Sequence, residues 1–416
     1  MNCSSYSMLR NAKSSNQNRQ SMIRNPQSSI HHPQSAIDNL QSQHAGVYVH
    51  IPFCATKCNY CDFSTAPFEE AIARRYLSAL LQEIRCAEVE PHLQSIDTVY
   101  IGGGTPSIVS GRTVEEILEE VARKFTLVPG SEISLEMNPS RQEAERAGYY
   151  RSAGINRLSI GVQSFVDAEL IAMTRAHSAR EAQEAVYRAV ENGFSNVSID
   201  LILGLPGQDE SSFRRSIETA AALPIRHLSL YLLELHSGTP LHHSVRSGES
   251  GLPSDEFVSR QYLESVEFLE FRGLQQYEVS NFARPGCQSR HNWKYWTRVP
   301  CFGFGMSSHS FDGVRRWNNV KSLARYLERV ESGESPRENE AEVSPAESLK
   351  EEIFLGLRTR QGVCAQLLDD FIREKDRLQK RWPLLMEQRW VERRCDRYAL
   401  TPAGWLVSNE ILSEFM

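Results

Sequence analysis

The chain has 416 residues and a mass of 47.3 kDa, enough for one large domain and a smaller one. Its formal net charge of −6 supplies no overall attraction to nucleic acid, and no apolar run approaches the ~18 residues of a membrane span. Nine cysteines, six of them scattered without a disulfide-framework spacing, suit a reducing compartment, so the expectation is a soluble cytoplasmic protein.

Residues 1–45 stand apart. They are rich in Ser, Gln and Asn, and the run Pro26-Gln-Ser-Ser-Ile30 recurs as Pro33-Gln-Ser-Ala-Ile37. So few apolar groups cannot offset the entropy of ordering, and the segment reads as a disordered tail. Four basic residues precede its first acid, Asp38, so a mitochondrial transit peptide is the alternative.

From residue 46 the pattern becomes regular. Six short β-branched runs, 47–51, 98–101, 132–136, 156–160, 197–203 and 227–232, alternate with helical stretches. Ile72, Tyr76, Leu77, Leu80, Leu81 and Ile84 share one helical face, as do Val114, Ile117, Leu118, Val121 and Phe125. Thr113-x-x-Glu116 and Ser178-x-x-Glu181 read as capping boxes, and Gly193 marks a helix end. The alternation predicts an α/β fold with a parallel sheet. Six units are too few for an eightfold barrel, so the expectation over 46–250 is a partial (β/α)6 barrel.

After the first of these runs comes Cys54-Ala-Thr-Lys-Cys58-Asn-Tyr-Cys61. A 4Fe–4S cluster normally takes four thiolates, so a C-x3-C-x2-C set holds three irons and leaves the fourth open to a small molecule. A zinc knuckle would want a fourth Cys or His at short range, and the next His downstream is His92. In such folds ligands lie beyond the carboxyl ends of the strands. There the chain places Gly102-Gly103-Gly104-Thr105-Pro106, Glu136-Met-Asn138-Pro139, Gly161-Val-Gln163, and Asp200 ahead of Gly204-Leu-Pro206-Gly207. Together these predict one site facing one ligand.

Beyond the sixth run, 251–330 reads as a barrel extension with a helix near 254–273 and a strand near 275–280. A polar stretch, 331–345, reads as a linker, and 346–416 as a small α+β, winged-helix-like domain. Such modules often bind DNA, but acids interleave the Arg and Lys residues from Arg373 to Arg397. The reading there is a solvated face with no nucleic acid.

These motifs resemble the radical S-adenosylmethionine (SAM) superfamily, in the group that holds oxygen-independent coproporphyrinogen III dehydrogenase and the heme chaperones of the HemW type. The match runs through Tyr48-Val-His-Ile-Pro-Phe-Cys54, Cys58-Asn-Tyr-Cys61-Asp-Phe63, Gly102 to Pro106, Glu136-Met-Asn-Pro139, Gly161-Val-Gln-Ser-Phe165 and Ile199-Asp-Leu-Ile-Leu-Gly-Leu-Pro206. The resemblance implies that Cys54, Cys58 and Cys61 hold a 4Fe–4S cluster whose open iron chelates SAM. It puts Glu136 at the amino group of SAM, Arg175 at its carboxylate, and Gln163 and Asp200 at the ribose hydroxyls. It sets Tyr48 near the sulfur, Gly102, Gly103, Gly104 and Thr105 along the methionyl end, and Phe53 and Phe63 beside the cluster as a screen against solvent. The implied chemistry is one-electron cleavage of SAM to methionine and a 5′-deoxyadenosyl radical, which requires an electron donor.

Two features turn the resemblance toward heme. Enzyme-type members carry a fourth cysteine two places after the third, where this chain has Phe63. His291-Asn292-Trp-Lys-Tyr295-Trp296 matches the H-N-x-x-Y-W signature of the heme chaperones, and Gly303-Phe-Gly305-Met-Ser-Ser-His309 follows it. Histidine is a natural axial ligand of heme iron, and aromatics can pack against a porphyrin. Cys301 departs from the family, which tends to have tyrosine there. The leading expectation is a heme chaperone that binds heme around His291 and passes it to acceptor hemoproteins. Peripheral contact with a membrane would suit respiratory acceptors. The rival is an enzyme that decarboxylates two propionates of coproporphyrinogen III, and whether SAM is cleaved at all stays open.

Overall fold

A computed structural model describes residues 44–415, so the repeat and the basic run of the tail lie outside the described residues. The six predicted runs become strands β1 (Ala45–Ile51), β4 (Ser95–Gly103), β5 (Thr126–Met137), β6 (Arg157–Gln163), β7 (Asn196–Leu203) and β8 (His227–Leu232). Two short strands, β2 (Phe53–Cys54) and β3 (Ala66–Pro67), pair in parallel across the base of the cysteine loop. The later strands are β9 (Gln275–Gln276), β10 (Asn281–Ala283), β11 (Cys301–Phe304), β12 (His309–Phe311), β13 (Arg315–Asn319) and β14 (Arg337–Glu342). One curved sheet joins them in the order β14-β13-β12-β11-β1-β4-β5-β6-β7-β8-β10-β9.

The run from β1 to β8 is parallel throughout, as the alternation predicts. β11 adds a further parallel strand on the far side of β1. Its four residues, Cys301 to Phe304, are too few to show a period of their own. The predicted strand at 275–280 is instead the hairpin β9–β10, with Tyr277 to Ser280 forming the turn. The predicted linker at 331–345 is also corrected, because it carries β14. That strand, Arg-Glu-Asn-Glu-Ala-Glu, lacks apolar alternation because it is an edge strand. Backbone pairing to β13 holds it, with surface pairs Arg315–Glu340 and Arg325–Glu338.

Helices cover the outer face of the sheet. Val47, Val49 and Ile51 of β1, Val99 and Ile101 of β4 and Leu135 of β5 are buried beneath them. The helix Glu70–Cys86 buries Tyr76, Ala79, Leu80 and Ile84, close to the predicted face. Ser178 and Glu181 form the predicted capping box. Thr113 does not cap: the helix Gly111–Lys124 starts earlier, with Ser110 Oγ accepting the Thr113 amide, and Glu116 pairs with Arg112 instead.

The alternate residues point inward, and they are polar: Tyr48 and His50, Thr98 and Tyr100, Glu132, Ser134 and Glu136, Ser159, Ser198 and Asp200. A closed barrel fills its interior with branched apolar side chains; this one lines a cleft. The C-terminal domain has its own apolar core, including Ile353, Leu368, Trp382 and Trp405, beside a three-stranded sheet. It joins the barrel through the Val279 amide on the Arg358 carbonyl, the Arg360 amide on the Tyr277 carbonyl, and Glu351 between Arg298 and Arg316.

Candidate functional site

The cysteine loop leaves β2 at the carboxyl end of β1. β4 arrives alongside, with the Gly104 amide donating to the Ile51 carbonyl (2.8 Å) and the Thr105 amide to the Phe53 carbonyl (2.9 Å). A Cβ on Gly104 would come within 2.7 Å of the Pro52 oxygen and 2.9 Å of Cys54 Sγ. The glycine run is therefore required by the close approach of backbone to the cysteine loop. Thr105 Oγ1 donates to Cys54 Sγ (3.5 Å). His50 Nε2 donates to the Ser64 carbonyl (3.0 Å), which leaves Nδ1 to accept from the Tyr48 hydroxyl (3.0 Å). β1 thus grips both ends of the loop.

Glu136 stands at the end of β5. It accepts from the Tyr100 hydroxyl (2.9 Å) and the Gly103 amide (3.0 Å), and burial lifts its carboxyl to about 7. Arg175 reaches in from the loop between the helices Asp167–Ala172 and Ala179–Glu191, which follow β6. Its Nη1 donates to Cys58 Sγ (3.2 Å), its Nη2 to Asn138 Oδ1 (2.8 Å) and the Gly161 carbonyl (2.7 Å), and its Nε is buried without a partner. Nothing local in Met173-Thr-Arg-Ala-His177 distinguishes it from a surface arginine, so only the resemblance finds it. Asn138, which orients Arg175, was missed as a separate site residue, and no signal beyond its place in Glu136-Met-Asn-Pro139 marked it. Asp200 accepts from Ser159 Oγ (3.3 Å), and burial raises its carboxyl to about 6. Gln163 sits in the left-handed region at φ 69°, where the pairing of β6 with β7 slips. Strain of that kind gathers at functional sites.

The structure brings Tyr48, Gly102, Gly103, Gly104, Thr105, Glu136, Gln163, Arg175 and Asp200 to one end of the barrel with the three cysteines. Phe63 departs from expectation. It is 64% exposed, while Phe53 is buried against Phe68 and Tyr76. Phe53 instead packs into the main core against the helix Glu70–Cys86.

His291 departs further. It is 1% exposed and lies toward the amino-terminal end of the strands, in the helix Arg290–Thr297 that closes the cleft from below. Its Nδ1 bonds Thr98 Oγ1 (2.9 Å) and its Nε2 the Tyr295 hydroxyl (3.0 Å). Burial holds the imidazole neutral, lowering its pKa to about 3. With both nitrogens engaged, the ring offers nothing to a heme iron in this conformation. The glycines after it are structural as well: a Cβ on Gly303 would meet the His309 carbonyl and one on Gly305 the Tyr76 hydroxyl.

The sequence profile of the Radical SAM superfamily matches residues 48–220, which takes in every residue of the upper site. The heme chaperone HemW of Mycobacterium tuberculosis is 34% identical over 376 residues, covering 90% of this chain and 95% of that one. The chain belongs to the HemW family of radical SAM proteins. HemW of Bacillus subtilis matches at 34% over 377 residues, and the mitochondrial radical SAM domain-containing protein 1 of Bos taurus at 36% over 342. The coproporphyrinogen III oxidase HemN of Escherichia coli has the same fold, with a TM-score of 0.76 at 22% identity over 92% of this chain.

The residues fit the cofactors that membership in the HemW family implies. Among the described residues no three His, Cys, Asp or Glu side chains are set to share one metal ion. A cluster asks for something different, since each thiolate takes its own iron. The unpartnered Arg175 Nε and the Glu136 carboxyl supply a donor for a carboxylate and an acceptor for an amino group, as an α-amino acid end requires. When bound, cluster and SAM supply one-electron chemistry at a sulfonium. The chain's own residues set Glu136 and Arg175 near the mouth of the cysteine loop, with Asp200 and Gln163 on the neighbouring strands β7 and β6.

Proposed function

We propose that this chain is a heme chaperone: it holds a 4Fe–4S cluster on Cys54, Cys58 and Cys61, binds SAM between Glu136 and Arg175, and passes heme to acceptor hemoproteins. The length of the likeness carries this reading. Bacterial proteins named heme chaperones match across 90% and 89% of the chain, well beyond the cofactor-binding stretch 48–220. Phe63, standing where the porphyrin enzymes carry a fourth cysteine, supports it. No helix among the described residues is long and apolar enough to cross a membrane. The place of action we propose is the cytoplasm, with a mitochondrial address as the alternative. A one-electron donor is a partner only if SAM is cleaved.

In this reading the segment 291–296 is shut, and heme gains His291 only when the helix Arg290–Thr297 moves out of the cleft. The test is an anaerobic heme titration of cluster-loaded protein, wild type against His291→Ala. Wild type should develop a Soret band with a histidine-ligated spectrum, and the variant should bind about tenfold more weakly. Absence of heme binding by wild type sinks the chaperone reading. Equal binding by the variant removes His291 from it.

A further inference from the structure

The cofactor end and the heme segment meet at one side chain. Tyr100 donates its hydroxyl to Glu136 Oε1 (2.9 Å), while its ring stacks on His291 with centroids 5.2 Å and planes 26° apart. The amides of Arg290 and His291 donate to the Glu132 carboxylate (3.3 and 3.1 Å). Glu132 lies on the same face of β5 as Glu136. Thr98, which holds His291 Nδ1, lies on the same face of β4 as Tyr100. Two paired strands therefore carry both the cofactor carboxylate and the fastenings of the helix, and Tyr100 belongs to both sets.

We propose that Tyr100 is a positioning residue through which bound SAM holds the helix Arg290–Thr297 shut, so that SAM and heme oppose each other. The proposal rests on the heme reading above. The amino group of SAM, donating to Glu136, favours the carboxylate as an anion. The phenol then makes a charge-assisted hydrogen bond, about twice as strong as a neutral one. A carboxylate has about four acceptor sites, so the amino group can join Tyr100 and Gly103 without displacing either. A more firmly held Tyr100 keeps its ring over His291, and the helix leaves the cleft less often. By linkage, heme on His291 weakens SAM binding by the same factor that SAM weakens heme binding. Release of SAM is then the step that frees the heme segment.

Hydrogen exchange of residues 290–297 in full-length, cluster-loaded protein tests this without heme. Adding SAM should slow exchange there about tenfold, within the roughly 5–150-fold range of coupling between sites. Tyr100→Phe keeps the ring but loses the hydroxyl, and its response to SAM should fall below about twofold. Thr98→Val removes a fastening that does not touch Glu136, so it should speed exchange equally with and without SAM. In the heme arm, SAM should raise the heme Kd of wild type about tenfold and that of Tyr100→Phe by less than about twofold. Wild-type exchange indifferent to SAM, or an undiminished response in Tyr100→Phe, overturns the proposal. If neither protein binds heme, the chaperone reading falls while the exchange arm still decides the coupling.

Discussion

The Glu136 carboxyl is lifted to about 7, chiefly by burial and further by the Asp200 charge. Accepting from the amino group of SAM requires the anion, so below that pH the binding of SAM must release a proton. Affinity should fall about tenfold per unit below about pH 7 and level off above it. Asp200, raised to about 6, should steepen the fall at the acid end. Isothermal titration across this range checks the slope. Glu136→Gln should flatten it while weakening binding throughout, and an unchanged slope would place the proton elsewhere. At the loop, Gly104→Ala sets a methyl 2.9 Å from Cys54 Sγ and 2.7 Å from the Pro52 oxygen. Iron and sulfide analysis after reconstitution should show cluster occupancy falling toward that of Cys58→Ser.

The helix Arg290–Thr297 is fixed by charge as well as by rings. Lys294 bonds Asp97 (2.6 Å) and the His44 carbonyl (2.7 Å), with both charged side chains nearly fully buried, and Arg290 also reaches Asp97 (2.6 Å). Removing one partner of a buried pair costs about 3–5 kcal/mol. Lys294→Met should lie near the lower end because Arg290 remains, a loss that the denaturant midpoint reads directly. At the edge of the sheet, Glu338→Ala breaks only solvent-accessible surface pairs, one of them half-buried, and should cost about 1 kcal/mol or less. The same contrast decides what was legible in the sequence. β1 and β4 to β8 carry β-branched runs because one face is buried under helices, so they could be read. β14 is held by ladder bonds and surface charges, and its composition is that of a loop. Thr113 misled because Ser110, three residues earlier, offers the same capping chemistry.

Across the whole molecule, the cofactor end was readable because most of its parts sit in short motifs at or near strand ends, Arg175 between two helices being the exception. The lower end was not. His291-Asn292-Trp-Lys-Tyr295-Trp296 gives the residue types, but a string cannot say whether an imidazole faces a ligand or is tied to Thr98 and Tyr295. The polar lining was hidden too, since Tyr48, Thr98 and Ser198 sit among β-branched neighbours that dominate the pattern. The two ends together argue for a carrier whose cofactor site governs a covered heme segment. Heme transfer tests that account most directly: heme-loaded, cluster-containing protein is mixed anaerobically with an apo-hemoprotein, and the Soret band is followed from donor to acceptor. The account predicts transfer faster than from free heme and lost in Cys58→Ser. No transfer, with multiple-turnover formation of protoporphyrinogen from coproporphyrinogen III, SAM and a reductant, would contradict it.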